Sequence, residues 1–395
     1  MSQNTLRRGH EGFDAPLSDR DPEDDIWREN YDWLEAHGYQ LRRRWHPDWV
    51  PSWEASPETV SRFSCEDSHV PLGALADGSR LSDGKLVMIK HLVLPASANE
   101  LDLVTHLNSG PYSAIDENYS VPVYDVLRPP RSTDSVFIVM PLLRSWAALP
   151  FETLGEVIGF CQQAFTGLLF MHRMGTAHCD CKWNNILVDG SPLFDEEPHP
   201  IMMWRSRDFS RYLWPYSRTR RPVRYYWIDF GLSYRHHPAT GPPSISTLAC
   251  GDRSIPEQFT DPPWDPFALD VYCVGNILKD HSQVRRVNAR SFSCLLPLLD
   301  DMTRSDPKRR PNMEEVVQRL EKIRRSLSNR QLRSRIWGAD EPLFISIVLS
   351  LWHWLWQITY IFRGFASIPP VPPRLQPLSR PDASADSKQL HPHLE

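Results

Sequence analysis

The order of segments predicts an α+β chain in which a small sheet-bearing lobe precedes a larger helical one. Two β-branched runs, KLVMIKHLVL (85–94) and SVFIVMPL (135–142), are flanked by Gly, Asp or Pro and read as buried strands. Between them ANELDLVTHL (98–107) sets Leu101, Val104 and Leu107 at helical spacing. After Glu152 the patterns are helical, and no further strand-rich block is expected.

Each part follows from its composition. The 395 residues are 41% hydrophobic and 24% charged, which excludes a wholly disordered chain. A net charge of −5 supplies no global basic field, so no nucleic-acid partner is expected. Seven cysteines without framework spacing suit a reducing, cytoplasmic setting. Residues 1–20 are polar, carry no secretory signal and are expected to be disordered.

Residues 21–69 form a Trp/Pro-rich strap. It opens with a helix over DPEDDIWRENYDWLEAHG, whose Trp27, Tyr31 and Leu34 share a face that Gly38 can end. Five of the fifteen tryptophans lie between Trp27 and Trp53, and buried area against the main domain is the preferred reading over a ligand surface. The main domain covers 70–325, divided at 143/144, with helices expected over 152–173, 268–281, 291–304 and 313–327. A basic linker and hydrophobic helix follow (326–366). The tail 367–395 is Pro/Ser-rich and expected to be disordered.

The chemistry concentrates in HCDCKWNNILVD (178–189), directly after a long helix. An acid (Asp180), a lysine two residues on (Lys182) and an amide (Asn185) on one short loop suit phosphoryl transfer. The acid would orient a hydroxyl and take its proton, the lysine would offset phosphate charge, and the amide oxygen would ligate Mg²⁺. Downstream, YYWIDFGLS (225–233) places a second carboxylate, Asp229, after an apolar strand and before a glycine turn, where it can hold a hard cation. A zinc reading of His178, Cys179 and Cys181 lacks a second ligand pair.

These elements, in this order over residues 70–325, resemble the eukaryotic protein-kinase superfamily, in particular the fungal protein-kinase-like domain proteins. The resemblance implies a bilobal protein-kinase-like fold and an ATP- and Mg²⁺-dependent protein kinase, with Lys182 marking the serine/threonine class. It makes Lys90 the phosphate-positioning lysine and Glu100 its ion-pair partner. Met140 would back the adenine pocket, and Leu143 would supply a hinge amide. Asp180 and Lys182 would be catalytic, and Asn185 and Asp229 the metal ligands. Glu257 and Arg310 match a structural ion pair, and Asp270 an aspartate that ties down the catalytic loop.

Three departures keep a pseudokinase, a nucleotide- or partner-binding module without efficient transfer, as the alternative. Gly73, Gly78 and Gly84 do not form the glycine-rich loop expected before Lys90. Cys179 stands where the family carries an arginine, which leaves an activating phosphate without a local partner. The interval from Asn185 to Asp229 holds an arginine-rich insert (189–226), read as a solvated excursion whose arginines pair with nearby carboxylates and carbonyls rather than as a docking surface. A kinase for small molecules is a third reading, disfavoured by Asp270 and by the Glu257–Arg310 match. The protein substrate and the oligomeric state are not encoded in any motif.

Residues 342–362 contain no Asp, Glu, Lys or Arg. Membrane association through this segment competes with docking on the helical lobe. Its polar stripe, Ser346, Ser350, His353 and Gln357, favours docking by the apolar side with the stripe outward.

Overall fold

A computed structural model describes residues 24–376 apart from 55–60, 72, 238, 240, 249, 281–292 and 338–340. The expectations for residues 1–20 and 377–395 lie outside the described residues. The acidic start of the strap forms not one helix but two short ones, α1 (Asp25–Glu29) and α2 (Tyr31–Ala36), separated by Asn30. Strand β1 (Tyr39–Leu41) follows. Beyond it come β2 (Leu75–Arg80), β3 (Leu86–Val93), α3 (Ala98–Leu107), β4 (Asp125–Leu127) and β5 (Ser135–Pro141).

The five strands form one antiparallel sheet in the order β1-β2-β3-β5-β4. Pairing Tyr39 with Arg80 adds a strand from the strap, so the sheet begins well before residue 70. Because side chains alternate, the sheet has two apolar faces. Ala76, Val87, Ile89, Phe137 and Val139 meet Trp27, Tyr31, Leu34 and Trp45 of the strap. Leu92, Val136 and Ile138 meet Leu103, Val104 and Leu107 of α3. Lys90 lies opposite Leu75 and Ile138, and Met88 opposite Asp77 and Met140, so both rows share the α3 face.

The rest is mainly helical, with two small sheets. After β6 (Arg144–Ser145), α4 (Leu154–Arg173) starts on a Thr153 cap that accepts from the Glu156 N–H and runs buried through the core. Then come β7 (Thr176–Ala177), β8 (Ile186–Val188), β9 (Tyr225–Trp227) and β10 (Tyr234–Arg235). They pair as β6-β8-β9 and β10-β7; of these, β9 is the apolar strand expected before Asp229, and the others carry no signal in the sequence. Helices α5 (Pro266–Asp280), α6 (Leu296–Met302) and α7 (Met313–Ser326) complete the core, α7 starting on an Asn312–Glu315 capping box. A short α8 (Asn329–Leu332) precedes the twenty-residue α9 (Leu343–Phe362).

Two expectations are corrected here. Helix α9 does dock, but by its polar stripe: Ser346, His353 and Gln357 are buried, while Phe344, Leu351, Trp352 and Phe362 are exposed. The segment expected to be disordered from Ser367 packs as far as Gln376. A Cβ on Gly155 would come within 1.8 Å of the Ser367 carbonyl oxygen, so the chain passes α4 at a distance only glycine allows.

Candidate functional site

The α3-facing side of the sheet and the loop after α4 bring together most of the residues singled out by spacing. Lys90 Nζ donates to Glu100 Oε1 (2.5 Å) and to Asp229 Oδ1 (3.0 Å), joining β3, α3 and the loop after β9. Burial alone would lower the Lys90 pKa, but the two carboxylates outweigh it and raise the pKa, holding the ammonium charged. The Asp229 carboxyl is pushed up by burial and pulled further down by the Lys90 charge, for a net lowering. Asp229 sits at φ +64°, a left-handed conformation that aspartate tolerates better than most residues, and it turns the chain directly after the strand.

Asp180 is buried within the loop. Its Oδ2 takes the Lys182 ammonium at 2.6 Å and the Asn185 amide at 2.8 Å, while the Gly251 N–H donates to Oδ1 at 2.8 Å. The Asn185 amide nitrogen also donates to the Asp180 carbonyl (2.9 Å), which commits the nitrogen and orients the amide oxygen the other way. Two backbone contacts tie this loop to the Asp229 turn. The Ile228 N–H donates to the Asn185 carbonyl (3.0 Å), and the Ile228 carbonyl meets His178 Nε2 (3.0 Å).

The loop is held from beneath by Asp270 of α5, which is fully buried. Its carboxylate accepts the N–H groups of His178 and Cys179, both at 2.7 Å, and lies 3.0 Å from His172 Nε2. Cys179, at φ +60°, is the strained residue of the loop, and two charge-assisted bonds at its edge hold it there. Glu257 and Arg310 form a buried bidentate pair, at 2.5 and 3.0 Å.

Lys90, Glu100 and Asp229 thus form one cluster, and Asp180, Lys182 and Asn185 a second beside it. Met140 is half-buried on the same face of the sheet as Lys90, and the Leu143 side chain is buried in the main core. The residues present suit a cation–polyphosphate group. Asp229 is ionised and part-exposed, Asn185 has its nitrogen committed while its oxygen takes no hydrogen bond among the described residues, and Lys90 is a fixed positive charge.

Spacing gave no sign of a third cluster. Residues 42–74 separate β1 from β2, and at the start of this stretch Arg42 Nη2 donates to buried Asp77 Oδ1 (2.9 Å). Arg42 Nη1 donates to Glu66 Oε1 at 2.8 Å. His199, from the arginine-rich insert, is buried and meets the same Glu66 oxygen at 3.2 Å. Its Nδ1 accepts the Ile201 and Met202 N–H groups, and its Nε2 faces both Glu66 Oε1 and Arg42 Nη1 (3.1 Å). Burial alone would raise Glu66; the His199 bond and the Arg42 charge overcome it and hold the carboxyl at about 2. Elsewhere in the insert Arg218 donates to the carbonyls of Pro150, Trp146 and Leu149, and Arg211 and Arg221 pair with Glu196 and Asp195. The arginines serve local satisfaction, as expected, but Arg218 and Arg224 are buried rather than solvated.

Compared with known protein-family models and with curated protein sequences, the chain matches none.

Proposed function

We infer that the protein is an ATP-dependent protein kinase of the serine/threonine type, built on a bilobal protein-kinase-like fold and belonging to that superfamily. The observation that carries this reading is the Lys90 ammonium shared between Glu100 and Asp229 beside the Asp180–Asn185 loop. Two carboxylates brought from separate elements to one ammonium are costly to assemble, and polyphosphate positioning gives that arrangement a use. Bound ATP would supply the phosphoryl group, and Mg²⁺, held by Asn185 and Asp229, would neutralise its charge.

The remaining work falls to the chain. Lys90 fixes a positive charge for phosphate oxygens, and Glu100 fixes Lys90. Asp180 would orient the acceptor hydroxyl and accept its proton as the γ-phosphoryl group passes to that oxygen and its bond to the ADP oxygen breaks. Lys182, 2.6 Å from Asp180, offsets the negative charge of the phosphoryl group in transfer.

A second reading, a non-catalytic nucleotide- or partner-binding module, is favoured by two observations. The Gly251 N–H occupies the Asp180 oxygen that a substrate hydroxyl would use. The excursion over 42–74 replaces the glycine loop that would close over phosphates.

One experiment separates them. Full-length protein incubated with γ-labelled ATP and Mg²⁺ labels itself or a generic protein substrate, and Asp180→Asn and Lys90→Met each abolish the labelling. A Mg²⁺-dependent thermal shift by ATP without turnover selects the binding module. Neither labelling nor a shift overturns both, and labelling of a small alcohol but never of protein moves the assignment to small-molecule kinases.

A further inference from the structure

Helix α9 is oriented the opposite way from an ordinary surface helix. Its polar stripe is spent on the protein. His353 Nε2 lies 2.8 Å from the Arg333 carbonyl, Gln357 Oε1 accepts from Arg333 Nη1 (3.1 Å), and the Tyr360 hydroxyl meets Ser217 Oγ at 3.3 Å. Near the other end Ser346 Oγ lies 3.4 Å from Arg335 Nη2. These contacts run from one end of the helix to the other and leave the apolar side outward. Phe344 (77% exposed), Leu351 (65%), Trp352 (61%), Leu355 (60%) and Phe362 (86%) alone show roughly 600 Å² of apolar surface. That is at or above the largest patch of an ordinary soluble monomer, about 300–600 Å².

We propose that α9 lies in the plane of an anionic lipid bilayer, its apolar side in the boundary between headgroups and acyl chains, and holds the folded domain at the membrane surface. Three observations select this occupant. First, the helix is fastened along its length to Arg333, Arg335 and Ser217, so it cannot cross a bilayer without drawing that polar face in with it. Second, Trp352 and Trp356 are exposed at mid-helix. In a spanning helix they would sit at the bilayer centre, whereas in an in-plane helix every residue has the same depth and tryptophan reaches the headgroup level it favours. Third, residues 321–363 carry seven basic and three acidic side chains in a chain of net charge −5, and with Glu321 on Arg324 and Arg325 and Glu341 on Arg335, Lys322, Arg330 and Arg363 make no ion pair among the described residues. Exposed Arg330, which makes no ion pair among the described residues, lines a recess of about 460 Å³ with Trp354, Ile361 and Phe365 beside the helix. A cation next to an aromatic-lined hollow at the edge of an apolar face suits an anionic lipid headgroup. The same charge opposes a symmetric pairing of two copies through this face. The inference does not depend on the proposed phosphoryl transfer.

Vesicle flotation of the full chain tests it. The wild type floats with phosphatidylcholine vesicles containing about 30% phosphatidylserine, and less with phosphatidylcholine alone. Leu351→Asp with Leu355→Asp, at positions too exposed to disturb folding, abolishes flotation while leaving the circular dichroism spectrum unchanged. Arg330→Glu weakens binding to the anionic vesicles roughly tenfold. Absence of flotation on the anionic vesicles overturns the proposal. So does a dimer in light scattering that the double variant dissociates without any vesicle binding, and so does resistance of the vesicle-bound protein to alkaline carbonate extraction, which would mark spanning.

Discussion

Replacing Asp270 by alanine withdraws the acceptor from the His178 and Cys179 N–H groups, both at 2.7 Å and both on buried residues. A buried donor left unpaired costs about 1–3 kcal/mol, and these bonds go to a charged acceptor, so the pair sums to about 3–6 kcal/mol. Release of the left-handed Cys179 backbone returns about 1 kcal/mol, leaving a net loss of about 2–5 kcal/mol against a total stability of about 5–15 kcal/mol. Asp270→Asn sharpens the test because its shape is nearly unchanged. The two bonds use different carboxylate oxygens, whereas an amide offers one oxygen and presents an NH₂ to the other donor. It is therefore expected to lose about 2–3 kcal/mol. Urea unfolding followed by tryptophan fluorescence reads both values, and hydrogen exchange at the Cys179 amide reads the local opening. Losses below about 0.5 kcal/mol in both variants would refute the claim that this carboxylate holds the loop.

Two other substitutions probe the scaffold. The Arg310–Glu257 pair is almost completely buried, with side-chain exposures of 0% and 2%. Removing either partner alone strands a charge and is expected to cost about 3–5 kcal/mol, while the double variant Glu257→Met with Arg310→Leu costs less than either single one; additive costs in thermal melts would contradict this. Glu66, held at about 2 against an ordinary 4.5, contributes stability that is fully present above pH 4.5 and lost as pH falls toward 2. Glu66→Gln is accordingly expected to flatten the decline of the urea midpoint between pH 5 and pH 3, and an unchanged slope would exclude the assignment.

The sequence carried the parts whose signals are local. Alternation in β3 and β5, helical spacing in α3, and the fixed interval from Asp180 to Asn185 all reflect backbone geometry within a few residues. The Lys90–Glu100 pair was accessible because strand and helix are separated by a short connection. The Arg42–Asp77–Glu66–His199 cluster was not, since it joins positions as many as 157 residues apart and no periodicity marks its members. Helix α9 failed differently. Its stripe was legible as amphipathicity, but amphipathicity states that two faces differ and not which one the protein takes. Arg333, which decides the matter, lies outside the helix. The three residues of β1 were too few for any alternation to register.

The closing stretch of the described chain reaches back to the end of α3 and to β9. Arg374 donates to the Asn118 carbonyl (2.5 Å) and to Asn108 Oδ1 (2.8 Å), and the Leu375 N–H donates to the Tyr226 hydroxyl (2.9 Å). Asn108 caps the end of α3, the helix that carries Glu100. Arg374 and Leu375 therefore brace the element that aims the carboxylate at Lys90. Any truncated form ending near residue 366 would lack that brace, and an expression boundary chosen for convenience there would change the very contact it was meant to preserve.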